Sequence, residues 1–193
     1  AFVLEEPVSA EENKEKIIEE FEIFCKKNSL KSVYYRIDEH NLTLFKSLKK
    51  KKLFIGQEAI MTVENFKLEG KDRKSLRNGL NALSKKGFTS EILNAPQNQE
   101  IVNEIQNISE EWLKEFDKSE MVFSQGMFDR TEIENQDLIV VKNPDGKIEA
   151  FLNIIPDFAP EECTYDLIRK TVNAPNGSMD AMIVKLVEYA KTK

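Results

Sequence analysis

The chain has 193 residues, of which 40% are hydrophobic, and its formal net charge is −6, from 28 basic and 34 acidic side chains. This length suits one domain or slightly more, and the hydrophobic share can bury a core, which excludes wholesale disorder. The acidic balance argues against a protein that coats nucleic acid. Two cysteines and one histidine are too few for a disulfide scaffold or a His/Cys zinc site.

The sequence contains no obvious targeting or membrane-spanning segment. No apolar run approaches the ~18–20 residues of a membrane span, and no signal peptide opens the chain. We therefore expect a soluble protein in the reducing cytoplasm. A location at the inner face of the cytoplasmic membrane is compatible with this expectation.

Capping signals and apolar periodicity predict alternating strands and helices in the first 65 residues. A strand at 2–4 is followed by a helix whose start is marked by Ser9 and Glu12, a capping-box pattern. Apolar residues at helical spacing carry this helix to about Asn28. A strand at 33–37, a helix capped by Asp38 and a strand at 53–63 complete the series.

The rest of the chain has its own regular order of predicted elements. A basic helix at 71–86, a strand at 88–93, a long helix at 98–116, a short helix near 130–135, strands at 137–142, 147–156 and 164–168, and a helix at 178–192 follow one another. Asp129 and Glu132 form a second capping box. The segment from Asn143 to Gly146, with sequence NPDG, is a strong hairpin signal.

This order of elements resembles that of two N-acetyltransferase-like (GNAT-like) domains in tandem. The second half of the chain has the element order found at the start of such a domain, and the first half has the order found at its end. We therefore predict an α/β (α+β) protein of tandem GNAT-like lobes, both incomplete. Residues 1–65 would be the C-terminal part of a first lobe and residues 66–193 the N-terminal part of a second, with 71–86 as a basic linking helix.

The loops that would bind coenzyme A in this fold do not suit that cofactor. Acyltransferases of this kind hold the pyrophosphate on exposed backbone N–H groups of a glycine-rich loop at a helix start. The loop at 5–9 is acidic, and the loop at 170–177 has a single glycine. A different acyl donor is therefore expected, and no metal or organic cofactor is implied.

Six sequence blocks stand out along the chain, namely FKLEGKDRKSLRNGLN at 66–81, SEEWL at 109–113, FSQGMFD at 123–129, AFLNIIP at 150–156, DLIR at 166–169 and APNGSMD at 174–180. Together they resemble the C-terminal domain of bacterial phosphatidylglycerol lysyltransferases, the multiple peptide resistance factor family. The blocks occur in the family's order over about residues 54–191, and six in register are a fairly specific signal.

The resemblance implies two GNAT-like lobes and transfer of an aminoacyl group, lysyl or alanyl, from charged tRNA to the head-group hydroxyl of phosphatidylglycerol. Aminoacyl-tRNA and an anionic phospholipid are the implied partners. Two alternatives stay open: a soluble transferase with a non-lipid acceptor, and a non-catalytic module that binds RNA or a membrane surface. Met127 stands where family members often carry a basic residue, which leaves one polar contact of the family in question.

A confined basic helix is the candidate tRNA contact. Residues 67–86 hold seven basic and two acidic side chains, a local charge of +5, although the whole chain is acidic. Lys74, Arg77 and Lys85 fall on the face opposite the leucines, where they could meet phosphates. A simply solvated helix face is the alternative interpretation of the same pattern.

Two candidate catalytic residues lie on the last predicted strand. We expect Arg169 to contact a phosphate or the reacting carbonyl and Asp166 to orient the substrate or a neighbour, which would make these two the catalytic pair. An ordinary strand-end ion pair is the alternative. Because they lie three residues apart on a strand, they point to opposite faces and need not pair with each other.

Four further residues are candidates for substrate binding. Asn176, Gly177 and Asp180 lie at a predicted helix start, where an anion can bind, although Asp180 can equally complement the helix dipole. Glu111, beside Trp112, could recognise an amino group, or could be a solvated helix glutamate.

Overall fold

The computed structural model describes residues 1–120, 122–123, 126–155 and 162–192. It contains two compact units, residues 1–59 and 60–193. Residues 124–125 of the FSQGMFD block and Pro156, the predicted end of a strand, lie outside the described residues.

The first unit is a small strand and helix assembly. Strand β1 (Phe2–Leu4) pairs in parallel with β2 (Val33–Tyr35), and helix α1 (Glu11–Lys27) connects them. A 3-10 helix spans Glu39–Leu48 and is capped by Asp38, as predicted. The buried core of this unit is limited, with Ile18 and Cys25 each 1% exposed.

Two predictions for the first half of the chain are wrong. Helix α1 is preceded by Ala10 and not by Ser9, and no side chain caps it. Residues 53–62 form no strand, and only a 3-10 turn at Val63–Asn65 follows. No strand among the described residues pairs with this apolar segment, so its backbone groups have no ladder to join, and Leu53 and Phe54 are 84% and 79% exposed.

The second unit is a four-stranded antiparallel sheet between helices. The strands are β3 (Thr89–Leu93), β4 (Leu138–Lys142), β5 (Ile148–Ile155) and β6 (Thr164–Lys170), in that spatial order. The helices are α2 (Lys74–Lys85), α3 (Gln99–Glu115), α4 (Arg130–Glu134) and α5 (Ser178–Ala190).

The two central strands are buried on both faces, which is why their sequences are almost continuous apolar runs. Ile139 and Val141 of β4 pack in one cluster with Leu83 of α2 and Met182 of α5. On the other face, Phe151 of β5 joins a second cluster, whose members from β4, α3 and α4 are Leu138, Val140, Ile105, Ile108 and Ile133. The sheet thus separates α2 and α5 from α3 and α4.

Two elements predicted from local sequence signals, the short helix after Asp129 and the hairpin at 143–146, are confirmed, with Asp129 as the helix cap. Asp129 accepts from the backbone N–H groups of Thr131 and Glu132 at 2.8 and 3.1 Å, and α4 begins at the next residue. Asn143 accepts from the N–H of Gly146 through its carbonyl at 2.9 Å, closing the β4–β5 hairpin. These contacts supply partners for backbone groups that lack one inside the element.

Candidate functional site

Arg169 on β6 is a buried cation held by several anchors. It is 5% exposed, and its two terminal nitrogens donate to the two carboxylate oxygens of Glu120 at 2.8 and 2.7 Å. Nη1 also donates to the hydroxyl of Ser109. The guanidinium lies 5.1 Å from the centre of the Trp112 ring. Helix α3 supplies Ser109 and Trp112, so one helix face receives the arginine.

The pairing fixes the charge of Glu120. The Arg169 guanidinium lowers the pKa of the Glu120 carboxyl, by hydrogen bonding first and by its charge as well, against the opposing effect of burial. Because the folded-state pKa lies below the ordinary value of 4.5, the pair contributes stability above about that pH. This contribution is lost as the pH falls through the folded-state pKa, so the pair stays ionised at neutral pH.

Asp166 has a different partner from Arg169. Its carboxylate accepts from the backbone N–H of Gly126 at 2.8 Å. A Cβ on Gly126 would overlap Oδ2 of Asp166, so this position admits only glycine while the carboxylate stays in place. Asp166 and Arg169 therefore hold the same stretch between α3 and α4, one through Gly126 and the other through Glu120.

Glu111 lies on α3 and closes the turn after β6. Its carboxylate accepts from the backbone N–H of Val172 at 3.0 Å. The contact gives this glutamate a defined orientation one residue before Trp112.

The start of α5 is packed against α2. Gly177 precedes α5 with φ of 94°, and a Cβ there would lie 2.9 Å from the carbonyl oxygen of Gly79. Glycine at 177 therefore serves a left-handed turn and a close backbone crossing. Asn176 and Asp180 are exposed beside this crossing.

The three basic candidates of α2 do not share one environment. Arg77 donates to the carbonyl oxygens of Leu68 and Gly70, the latter at 2.8 Å, and so fixes the loop that enters the helix. Lys74 and Lys85 are exposed, and neither has a carboxylate partner among the described residues. These two lysines are therefore better placed than Arg77 to meet an external phosphate.

Comparison with known proteins identifies the family. A family model described as "Phosphatidylglycerol lysyltransferase, C-terminal" matches residues 1–193. The chain belongs to this family.

Individual members of the lysyltransferase family are similar over nearly all of the chain. A phosphatidylglycerol lysyltransferase of Bacillus subtilis is 30% identical over 189 residues, which are 98% of this chain and 22% of that protein. One from Staphylococcus aureus is 25% identical over the same shares. The solved structure of L-PGS from Bacillus licheniformis matches with a TM-score of 0.88 and 30% identity, over 99% of this chain and 60% of that one. The chain thus spans about a fifth of the curated relatives' length.

These matches confirm the resemblance drawn from the six blocks and the mixed α/β, GNAT-like fold. The assignment of residues 1–65 and 66–193 to two incomplete lobes stays a prediction. No helix in the described parts of the chain is long and apolar enough to cross a membrane.

Glu120, the carboxylate partner of Arg169, is not among the site residues predicted from the sequence. One signal was available, because an arginine inside an apolar strand needs a carboxylate partner when it is buried. That signal does not say which carboxylate, since the acidic residues of 100–137 are numerous and Glu120 lies in an irregular stretch.

Proposed function

We propose that this chain is part of an enzyme that transfers a lysyl group from charged tRNA to the head-group hydroxyl of phosphatidylglycerol. The family match over residues 1–193 supports the donor and the acceptor. The family name favours lysyl over alanyl. The reaction would take place at a membrane surface, on the cytoplasmic side where charged tRNA is found.

The proposed reaction exchanges one ester for another. The lipid hydroxyl oxygen attacks the carbonyl carbon of the aminoacyl ester, and the bond from that carbon to the tRNA ribose oxygen breaks. The hydroxyl proton leaves the attacking oxygen, and the ribose oxygen gains one. Because the donor ester is already activated, positioning and charge stabilisation can supply much of the acceleration.

The single observation that carries the assignment of residues is the buried, anchored guanidinium of Arg169. A fixed cation at this strand suits the negative charge of a lipid phosphate or of the reacting carbonyl oxygen. Asp166 would orient the attacking hydroxyl or a neighbouring group. Glu111, whose carboxylate is oriented by the backbone N–H of Val172, would meet the amino group of the lysyl chain.

The start of α5 would complete the substrate-binding side. Asn176 is exposed there and offers an amide, while Gly177 lets the backbone turn and Asp180 supplies a carboxylate in the first turn. A cationic aminoacyl group is compatible with Asp180, and a phosphate is compatible with the backbone N–H groups.

The direct test uses the full-length protein with radiolabelled lysyl-tRNA and phosphatidylglycerol vesicles. We expect label in the organic phase after extraction. Label that appears only in a water-soluble product would replace the lipid by another acceptor. Binding of tRNA without any labelled product would instead indicate a non-catalytic module.

The double substitution Lys74→Ala with Lys85→Ala tests the tRNA contact. Removing one cation that neutralises a phosphate should make the slope of log affinity against log salt shallower by about one. We therefore expect a slope shallower by about two in a salt titration of tRNA binding. Lys16→Ala is the control, because Lys16 is 76% exposed on α1. An unchanged slope in the double variant would remove α2 from the tRNA contact. Arg77 is a less clean test, because its substitution also frees the loop before α2.

Gly126→Ala tests the role of Asp166 without changing that residue. The new methyl group would occupy the position of Oδ2, so the carboxylate must rotate away and lose the Gly126 N–H. We expect transfer to fall at least about tenfold, in line with the loss of one oriented group. Gly56→Ala is the matched control, because nothing lies within 4 Å of its Cβ position. Full activity of the Gly126 variant would argue against Asp166 as a site residue.

A further inference from the structure

The ion pair of Arg169 and Glu120 occupies one end of the guanidinium and leaves one edge unused. An arginine side chain has five N–H donors in a planar fork. Glu120 takes one donor from each terminal nitrogen, and Ser109 takes the second donor of Nη1. The remaining donors are the Nε–H and the second N–H of Nη2, and no acceptor among the described residues contacts either one.

The two unused donors lie along the same edge of the guanidinium plane. Nη2 is the terminal nitrogen trans to Cδ and therefore lies on the same side as the Nε–H. The N–H of Nη2 that faces away from Glu120 is thus parallel to the Nε–H. Two parallel N–H groups are the geometry that a carboxylate or phosphate accepts in a bidentate manner. No side-chain nitrogen or oxygen in the described part of the chain is both fully buried and without a partner, so the Nε atom of Arg169, which has none, keeps some contact with solvent.

Contacts with Trp112 and Glu120 restrict the orientation of the Arg169 guanidinium. The guanidinium carbon of Arg169 lies 5.1 Å from the centre of the Trp112 ring. The Nζ of Lys118 lies 5.0 Å from the centre of the same ring. The bidentate contact with Glu120 fixes rotation within the plane, since both carboxylate oxygens are used. The Glu120 side chain is 26% exposed, against 6% for the Arg169 side chain, so solvent reaches the carboxylate more than the guanidinium.

We propose that Glu120 is a positioning residue for transfer: by holding the end of the Arg169 guanidinium, it presents the free Nε and Nη2 edge to an anionic oxygen pair of the substrate. The oxygens would be those of a phosphodiester or of the reacting ester as its carbonyl becomes negative. This inference rests on the proposed transferase function. Glu120 acts through Arg169 and does not touch the substrate.

A competing interpretation makes the opposite prediction. If Glu120 occupies the place of the substrate anion, removal of its charge frees the guanidinium and transfer rises. If Glu120 positions the fork, removal of its charge releases the arginine to other orientations and transfer falls.

The test compares Glu120→Gln, Glu120→Asp and Glu115→Gln in the full-length protein. Glu115 is an exposed residue of α3 with no ion pair among the described contacts, so it controls for the loss of one negative charge nearby. We expect Glu120→Gln to lower kcat up to about 100-fold, the cost of misplacing a group in the site, with the KM for lysyl-tRNA changed less than about twofold. Glu120→Asp should recover part of kcat, and Glu115→Gln should match the wild type.

A second readout does not depend on transfer. Trp112 is the single tryptophan of this chain, so in the isolated chain its fluorescence reports on the guanidinium that lies over it. Glu120→Gln should shift the emission or the acrylamide quenching of Trp112, while Glu115→Gln should not, at a temperature where both variants are folded.

The outcomes distinguish failure of the proposed function from failure of the positioning role. A wild-type protein without transfer activity overturns the proposed function, and an altered Trp112 signal in Glu120→Gln would still establish the positioning of Arg169. Wild-type or increased kcat in Glu120→Gln, in an otherwise active enzyme, overturns the positioning role. If Glu120→Gln lowers kcat because the variant unfolds, Glu120→Asp decides the question. A folded Glu120→Asp variant that recovers none of the lost kcat also overturns the positioning role.

Discussion

Arg169→Lys is expected to reduce lysyl transfer about 100-fold, which is the lower end of the range for removing one donor that stabilises charge in a transition state. Lysine keeps the positive charge but has no planar fork, so it cannot satisfy both oxygens of Glu120 and the hydroxyl of Ser109 while offering a second edge. The measurement is kcat/KM for transfer into phosphatidylglycerol. Alanine is a poorer choice here, because it leaves Glu120 without its partner and a void against Trp112.

Arg130→Lys is the matched control for this substitution. Arg130 also donates to several neighbours, namely Gln106, Gln99 and Asn103, but it is exposed on the outer side of α3 and α4. We expect transfer within about twofold of wild type, because a surface substitution away from the site has little effect. If Arg169→Lys and Arg130→Lys have the same kcat/KM, the fork of Arg169 is not used in the reaction, and the site must be sought elsewhere.

The elements that can be predicted from the sequence are those with a regular stripe or a continuous run of apolar residues. The predicted bounds of helix α3 and of strands β4 and β5 agree with the structure within a few residues, because each element buries a continuous stripe or an apolar run. The predicted strand at 53–63 rests on apolar and β-branched composition alone. Composition does not supply a neighbouring strand, and without one the segment has no regular structure in the described residues.

The candidate site can be predicted only as far as single residues. A block of four residues points to Arg169 and Asp166, but their partners lie far away in the sequence, Glu120 by 49 residues and Gly126 by 40. Gly177 is predicted as part of an anion site, while its closest neighbour is the backbone of Gly79. A local pattern contains no information on such tertiary contacts, which is why the partner residues were missed.

Phe151→Ala is expected to cost about 3–5 kcal/mol of the free energy of unfolding, the usual range for removing a fully buried phenylalanine. Phe151 is 0% exposed on the central strand β5, where it packs against α3. A loss of this size is a large part of the total stability of about 5–15 kcal/mol for a typical domain. Urea unfolding followed by Trp112 fluorescence measures it. Val172→Ala, at a side chain 61% exposed, should change stability by less than about 0.5 kcal/mol.

The same substitution connects the core to the proposed site. Phe151 is the cross-strand partner of Arg169 in the β5–β6 register, so its ring supports the strand position from which the guanidinium extends. We therefore expect Phe151→Ala to lower kcat for transfer even at a temperature where the variant is folded, whereas Phe151→Leu, which keeps most of the volume, should preserve kcat while costing less stability. A folded Phe151→Ala variant with wild-type kcat would mean that the orientation of Arg169 depends on Glu120, Ser109 and Trp112 alone, and not on the packing beneath β6.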